Sequence, residues 1–261
     1  MILTIYQVDA FTDQVFKGNP AAVCPLSEWI SDDLLQKIAS ENNLSETAFY
    51  VPKDNKFEIR WFTPTAEVDL CGHATLAAAF VLFTQEGFSK KILEFYSPRS
   101  GDLSVIVEED SFVLNFPADD YKEVELSDQF LELTDRTPIA VYKGKTDFML
   151  VFEKQEDIQN LKPNLLLISQ IEARGIIVTA KGNDHDFVSR FFAPAVGVNE
   201  DPVCGSAHTT LTPFWASQLN KKMLTAFQLS ERTGSLTCTL LNDRVKLSGK
   251  AVLYLKGEIY V

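Results

Sequence analysis

The sequence lacks the features that mark nucleic-acid-binding, secreted or membrane-spanning proteins. It has 24 Lys and Arg against 36 Asp and Glu, so its formal net charge of −12 has the wrong sign for a phosphate-neutralising surface. No segment reaches the roughly 18 uninterrupted apolar residues that a membrane span needs. The start, Met1-Ile2-Leu3-Thr4, has no basic region followed by an apolar run. We therefore expect a cytoplasmic protein with no nucleic-acid and no membrane partner.

Cysteine and glycine are also scarce, with four and 12 residues among 261. Four cysteines in a chain this long form no disulfide framework, so a reducing compartment would leave each one as a free thiol. The glycines form no nucleotide-binding fingerprint, because Gly18-Asn19-Pro20 is a turn signal and not a phosphate loop. These absences exclude a disulfide-stapled domain and a glycine-rich nucleotide site.

One eight-residue pattern, Phe-x-x-Arg-x-Phe-x-Pro, occurs twice, at 57–64 and 187–194. Each copy is followed by a Cys-Gly pair and, one residue later, by Ala, at 71–74 and at 204–207. The second copy has three extra residues in between. Two matching halves in the same order at nearly the same spacing indicate an internal duplication.

The duplication predicts two similar domains of mixed helix and strand. Pro117-Ala118-Asp119-Asp120 is the most plausible boundary, which gives an N-terminal domain of residues 1–117 and a C-terminal domain of residues 118–261. Phe57–Phe62 has the pattern of a strand, and the run after Gly72 has that of a buried helix. The second Cys-Gly turn leads into a run interrupted by Pro213, so we expect a shorter or kinked helix there.

The two Cys-Gly turns are candidate binding and catalytic elements. A helix that begins at such a turn presents free backbone N–H groups and a positive dipole end, which can hold an anion or carboxylate. The same position can lower the pKa of a thiol, so Cys71 and Cys204 are possible proton acceptors. The alternative is that each cysteine is a small buried apolar residue. The spacing of Cys71, His73, Cys204 and His208 does not match a zinc site, so we predict no metal.

Three further side chains could perform acid-base chemistry. Glu46 precedes an apolar strand, where a carboxylate enters the interior and could hold or give a proton; the alternative is a capping or salt-bridged surface residue. His73 lies on the first turn of the predicted helix and could reach a bound ligand, or it could simply cap the turn. Asp201 lies in the three-residue insertion, where it could also be an ordinary turn aspartate before Pro202.

Together these motifs resemble the PhzF-like isomerases, named after phenazine biosynthesis, within the diaminopimelate-epimerase-like fold. The resemblance extends over nearly the whole chain. The segments that carry it are Val8-Asp9-Ala10-Phe11-Thr12, Gly18-Asn19-Pro20-Ala21-Ala22-Val23, Asn43-Leu44-Ser45-Glu46-Thr47-Ala48-Phe49, Arg60-Trp61-Phe62-Thr63-Pro64, Cys71-Gly72-His73-Ala74-Thr75 and Glu200-Asp201-Pro202-Val203-Cys204-Gly205-Ser206-Ala207-His208.

The resemblance implies an α+β fold of two similar domains, each a mixed sheet curled into a barrel around a central helix, with the active site between them. It implies a homodimeric isomerase that needs no cofactor and acts on a small carboxylate-bearing metabolite. Carried onto this sequence, Glu46 is the general acid/base that moves a proton between two carbons, with His73 and Asp201 as further catalytic residues. The implied substrate-binding residues are Asn19, Ser45, Gly72, Gly205 and Ser206.

Two other functions stay open from the sequence. The presence of both Cys71 and Cys204 is similar to the two-thiol amino-acid racemases and epimerases of the same fold, so these thiols are the alternative acid/base pair. Glu46 in its Ser45 context favours the PhzF-like chemistry, because two-thiol enzymes do not need it. The second alternative is a non-catalytic protein that binds a small molecule or a partner.

Overall fold

The computed structural model describes residues 1–261 and divides them into two compact units. Unit 1 comprises Met1–Asn115 and Ser248–Val261, and unit 2 comprises Phe116–Leu247. The predicted assignment of residues 118–261 to one C-terminal domain is therefore wrong at its end. The final segment returns to unit 1 because its strand pairs with the first strand of the chain, from Ile2 opposite Tyr260 to Ala10 opposite Ala251.

The secondary structure consists of strands and a smaller number of helices. The strands are β1 Ile2–Ala10, β2 Asn19–Pro25, β3 Glu46–Lys53, β4 Lys56–Phe62, β5 Glu67–Val68, β6 Ile92–Ser97, β7 Gly101–Glu108, β8 Ser111–Pro117, β9 Lys122–Val124, β10 Ala140–Lys143, β11 Phe148–Val151, β12 Ile176–Lys181, β13 Phe187–Phe192, β14 Met223–Gln228, β15 Gly234–Leu241, β16 Arg244–Gly249 and β17 Ala251–Tyr260. The helices are α1 Asp32–Asn42, α2 Gly72–Thr84, α3 Asp128–Leu131, α4 Gln155–Gln159, α5 Leu165–Ile168 and α6 Gly205–Leu219, and Pro194–Val196 forms a 3-10 turn. None of the helices combines the length and the apolar character that crossing a membrane requires.

Unit 1 is a mixed sheet that curls around α2. β1 pairs with β2 and β17, β2 runs parallel to β3, and β3 runs antiparallel to β4. Helix α2 contacts β1, β2, β3, β7 and β17, so strands surround it. Its sequence is apolar on nearly every face, which suits a helix with no side turned to water. Helix α1 covers the outer surface and packs Leu35 and Ile38 with Phe49 and Phe62.

Unit 2 repeats this arrangement around α6. β11 runs parallel to β12, and β12 runs antiparallel to β13. Helix α6 contacts β14 and β15. Its Trp215 ring stacks on Phe187, with centroids 5.9 Å apart, and donates a hydrogen bond from Nε1 to Thr179 Oγ1 at 2.9 Å. The predicted architecture of two similar domains, each with one central helix, is confirmed.

The repeated sequence pattern builds the same arginine clamp in both units. Arg60 binds Glu67 through Nε and Nη2, at 2.7 and 2.9 Å, and lies over the ring of Phe62. Arg190 binds Glu200 through the same two nitrogens at the same distances. Its guanidinium lies over Phe192, the counterpart of Phe62. The carboxylate is three residues farther from the arginine in unit 2, which accounts for the three-residue insertion.

Pro213 lies inside α6, yet the helix is longer than α2, so the predicted shortening is wrong. A proline cannot donate the hydrogen bond that the carbonyl four residues earlier would accept. Here the carbonyl of Thr209 accepts from the backbone N–H of Asp119 at 3.1 Å instead. The Asp119 carboxylate also accepts from Thr210 Oγ1 at 2.8 Å. The chain just after β8 therefore supplies the donor that the proline removes.

Candidate active site

Both Cys-Gly turns begin the central helices, as the repeat predicts. Cys71 is the N-cap of α2 and Cys204 is the N-cap of α6, and both are buried with extended backbone. Gly72 and Gly205 are the first residues of their helices. In each helix a side chain in the first turns bonds back to the cysteine carbonyl, Thr75 Oγ1 at 2.6 Å and His208 Nδ1 at 2.7 Å. These matching contacts orient both helix starts in the same way.

In unit 1, four of the predicted side chains meet at the start of α2. Glu46 is the first residue of β3, and its Oε2 lies 3.1 Å from Nε2 of His73. Neither of these two atoms makes a hydrogen bond in the structure, so this is a close polar contact. Asn19 Nδ2 and Cys71 Sγ lie 3.2 and 3.5 Å from the other ring nitrogen, Nδ1. His73 is thus surrounded by three polar partners inside the unit.

Burial and the neighbouring groups of this cluster shift the pKa values of both His73 and Cys71 upward. Burial disfavours the imidazolium, but neighbouring Cys71 and Glu46 outweigh it and raise the pKa of His73 well above its ordinary value. Burial, with the charge of Glu46, raises the pKa of the Cys71 thiol to about 11. Contacts with His73 and the backbone N–H of Ala74 lower it by less. The expectation that the helix start makes this thiol acidic is therefore wrong, because desolvation is larger than the helix effect.

The same cluster contains a possible ligand set for a metal ion. Glu46, Cys71 and His73 each place one donor atom within 4.8 Å of the others. Thiolate, imidazole and carboxylate are the ligand types that Zn²⁺ takes in proteins. The nearest partners, however, lie on different ring nitrogens of His73, Glu46 beside Nε2 and Cys71 beside Nδ1. One ion cannot bind both nitrogens of one ring, so holding all three donors would require the side chains to move.

In unit 2, the start of α6 carries a different set of groups. Cys204 Sγ lies 3.3 Å from Ser206 Oγ. Ser206 Oγ also accepts a hydrogen bond from Arg174 Nη1 at 2.7 Å. Arg174 is held by Asp147, whose carboxylate accepts from Nε at 2.9 Å and from Nη2. Ser206 was predicted from the sequence, whereas Arg174 and Asp147 were not, because neither belongs to a motif.

Burial also determines the pKa of the second thiol, Cys204. The prediction that its helix start makes this thiol acidic is wrong for the same reason as at Cys71. Burial, and then the charge of Asp201, raises the pKa of Cys204 above its ordinary value. Arg174 and Ser206 lower it by less. The backbone N–H of Cys204 donates to Gln228 Oε1 at 3.0 Å, and Gln228 Nε2 donates to the carbonyl of Asp201 at 2.6 Å. Gln228 therefore fixes the turn and was not predicted.

The other predicted residues occupy more local positions. Asp201 Oδ1 accepts from the backbone N–H of Val203 at 3.2 Å, which is the contact of a turn-forming aspartate. Its catalytic role stays a prediction. Ser45 is half-buried and directly precedes β3, next to Glu46. Asn19 is fully buried and lies against the His73 ring, and its role in substrate binding stays a prediction.

His208 makes the stability of the fold sensitive to acid. Burial lowers its pKa to about 4, and the contact with the Cys204 carbonyl opposes this only in part. A histidine with a lowered pKa in the folded state stabilises the fold above the ordinary value near 6.5, and this stability is lost as the pH falls toward 4. Between about pH 7 and pH 5 we expect wild type to lose about 2 kcal/mol more free energy of unfolding than His208→Gln.

Urea unfolding at the two pH values measures this difference. His185 is the matched control, because its ring is partly exposed and stacks on Phe227 at the surface of the same unit. His185→Gln should keep the wild-type pH dependence. Equal slopes for wild type and His208→Gln would show that His208 is not the acid-sensitive group.

Known proteins with similar sequences show to which family this chain belongs. The family model described as phenazine biosynthesis-like protein, PhzC-PhzF, matches residues 8–257. A protein of Pseudomonas aeruginosa named as an uncharacterized isomerase is 49% identical over 261 residues, with 100% of both chains covered. The chain belongs to the PhzF family. The resemblance found in the sequence is thereby confirmed, and the protein is an isomerase of this family.

The solved structures confirm the PhzF fold. The crystal structure of a PhzF family protein from Enterococcus faecalis has a TM-score of 0.98 and 43% identity, and each chain covers 100% of the other. A hydroxyproline epimerase from Agrobacterium vitis has a TM-score of 0.64 and 9% identity, covering 99% of this chain and 92% of that one. At this identity the second likeness concerns the fold alone. The PhzF fold is therefore shared with an epimerase, as expected from the sequence.

Proposed function

We propose that this PhzF-family isomerase moves a proton between two carbons of a small carboxylate-bearing metabolite, with Glu46 as the general acid/base and without a cofactor. The observation that carries the proposal is the 3.1 Å approach of Glu46 Oε2 to the buried His73 Nε2 at the start of α2. At this position the Glu46 carboxylate can accept a proton, and the adjacent imidazole of His73 fixes its orientation. Both thiols are buried, and burial keeps them protonated.

The chemical steps need only one group that accepts and returns a proton. The Glu46 carboxylate removes a proton from an acidic C–H next to a double bond of the substrate. The released electron pair forms a new double bond to the adjacent carbon, and the electrons of the original double bond move to its far carbon. The protonated Glu46 then delivers the proton to that far carbon, which leaves the double bond shifted by one position and Glu46 ionised again. His73 holds the Glu46 carboxylate in position through the 3.1 Å contact between Nε2 and Oε2. Asp201, Ser206 and the backbone N–H groups at Gly72 and Gly205 are proposed to bind the substrate, with Ser45 and Asn19 next to the proton carrier.

Solvent exchange tests the proposal directly. The protein is incubated in D₂O with unsaturated carboxylic acids that carry an acidic C–H next to the double bond, and deuterium incorporation is followed by mass spectrometry. We expect exchange and double-bond migration with at least one such acid. Exchange lost on addition of a chelator and restored by a metal would contradict the cofactor-free part of the proposal.

A two-thiol racemase or epimerase is the second candidate function. Two observations favour it: each central helix begins at a buried cysteine, and the fold is shared with the Agrobacterium vitis hydroxyproline epimerase. A two-base mechanism needs one acid or base on each face of a single carbon, so either thiol alone is insufficient. Inversion of trans-4-hydroxy-L-proline that is lost in both Cys71→Ser and Cys204→Ser would favour this function. Absence of exchange with all compounds would favour the non-catalytic binding protein.

A further inference from the structure

Strand register shows which residues of the two units correspond. In unit 1, Phe49 of β3 lies opposite the clamp residue Arg60. In unit 2, Val178 of β12 lies opposite the clamp residue Arg190. Counting three residues back from each gives Glu46 in unit 1 and Gly175 in unit 2. The duplicated site thus has no carboxylate at the second copy of the Glu46 position.

Unit 2 cannot place any side chain at this position. A Cβ at Gly175 would lie 2.6 Å from Phe191 Cζ and 2.6 Å from the carbonyl oxygen of Phe192. The backbone atom cannot move away without breaking the pairing of β12 and β13. The preceding residue, Arg174, occupies the position of Ser45 and places its side chain beside this site instead.

Arg174 is fixed in one orientation by its neighbours. Asp147 is 3% exposed and needs a cation, and it holds the guanidinium through Nε and Nη2. The guanidinium also lies over the Phe191 ring, 5.1 Å from its centroid. The Arg174 side chain is nevertheless 33% exposed, so its outer edge remains in reach of a ligand.

The third nitrogen of Arg174 determines how Ser206 can act. Nη1 donates to Ser206 Oγ at 2.7 Å, so the Ser206 O–H must point away from the guanidinium. Ser206 occupies the position in α6 that His73 occupies in α2, two residues after the N-cap cysteine. The first-turn N–H groups of α6 lie beside it. With its oxygen occupied by Arg174, the Ser206 O–H can donate to Cys204 Sγ, 3.3 Å away, or turn to a bound anion next to a fixed positive charge.

We infer that Arg174 is a specificity-determining positioning residue that acts through Ser206 to bind the carboxylate of the substrate. The matched positions, Ser45–Glu46 in unit 1 and Arg174–Gly175 in unit 2, then serve two different purposes. Unit 1 uses Glu46 for proton transfer, and unit 2 uses Arg174 for anion recognition. This inference rests on the proposed function for the identity of the substrate. The contacts of Arg174, Asp147 and Ser206 do not depend on it.

The test compares two arginines with matched surroundings. Arg174→Lys keeps the positive charge beside Asp147 but loses the planar fork that reaches Ser206. We expect the KM for the exchanging carboxylic acid to rise about 10- to 100-fold with kcat changed by much less. Arg190→Lys is the control, because Arg190 has the same pairing with a carboxylate and the same stacking on an aromatic ring but contacts the carbonyls of Ile158 and Leu161 instead of Ser206. It should lower Tm and leave KM unchanged.

A double variant and a binding probe complete the test. The double variant Arg174→Lys with Ser206→Ala should raise KM no more than the larger of the two single changes. Both substitutions remove the same Arg174–Ser206 interaction, so their effects should not add. Malonate, a simple dicarboxylate, should raise the Tm of wild type and Arg190→Lys but not of Arg174→Lys. Malonate binding without proton exchange would keep this inference and reject the proposed function. Equal KM changes in Arg174→Lys and Arg190→Lys, or no malonate response in wild type, would overturn the inference.

Discussion

Glu46→Gln is expected to abolish turnover and solvent exchange while leaving the fold intact. The amide has nearly the same shape as the carboxylate, so the packing beside His73 is retained, but it cannot accept or return a proton. General acid-base groups contribute about 10² to 10⁴ in rate, so we expect kcat to fall by at least that range. Steady-state kinetics and deuterium incorporation measure the loss, and Tm reports on the fold.

The control is the same chemical change at an exposed site. Glu94 lies on β6 of the same unit with its side chain in solvent, so Glu94→Gln should keep wild-type activity. Cys71→Ser and Cys204→Ser should each cost little if Glu46 carries the proton. If Glu46→Gln kept its activity and either Cys71→Ser or Cys204→Ser lost it, the two-thiol mechanism would replace the proposal.

Gly18→Ala is expected to give a large loss of stability together with lower activity. Gly18 has a φ of +66°, and an added Cβ would lie 2.2 Å from the carbonyl oxygen of Ala10 and 2.7 Å from Thr12 Cγ2. The left-handed backbone and the contact with a rigid carbonyl should together cost about 2 to 4 kcal/mol. Because the next residue, Asn19, contacts His73, the strain should also displace the proton-transfer cluster. Urea unfolding and kcat on the remaining folded protein measure the two effects.

Gly101→Ala separates backbone strain from collision. Gly101 has a φ of +75°, and nothing lies within 4 Å of its added Cβ. This variant should therefore show only the cost of the left-handed backbone, about 1 to 2 kcal/mol, with unchanged activity. A Gly18→Ala protein as stable as Gly101→Ala would mean that the turn before β2 relaxes freely and does not hold Asn19 in place.

The repeated sequence pattern made the two-domain fold and the two helix starts of the site predictable. Because Cys71 and Cys204 stand at matching points of a duplicated pattern, their positions at the helix starts followed from spacing. Glu46 and His73 could be named because the segments around them resemble those of a family. Their contact at the α2 start then follows from the parallel pairing of β2 with β3, which brings Asn19 and Glu46 to the same edge.

Arg174 could not be predicted because loop length hides its equivalence to Ser45. The turn between β3 and β4 is shorter than the turn between β12 and β13, so counting back from Arg60 and Arg190 in the sequence misaligns the two halves. Only the strand register restores the match. The thiol pKa values failed for another reason, since the sequence shows a helix start but not how completely the thiol beside it is removed from water.

The return of β17 to unit 1 sets an order for folding during synthesis. β1 leaves the ribosome first, but its partner β17 follows only after the whole of unit 2 has been made. Unit 2 is a continuous segment and can fold as soon as it is complete. Unit 1 must wait with one edge of β1 unpaired, and an unpaired edge is open to pairing with other chains. The nascent chain is therefore most exposed to aggregation in the interval before residues 251–260 emerge, although unit 1 contains the first residues made.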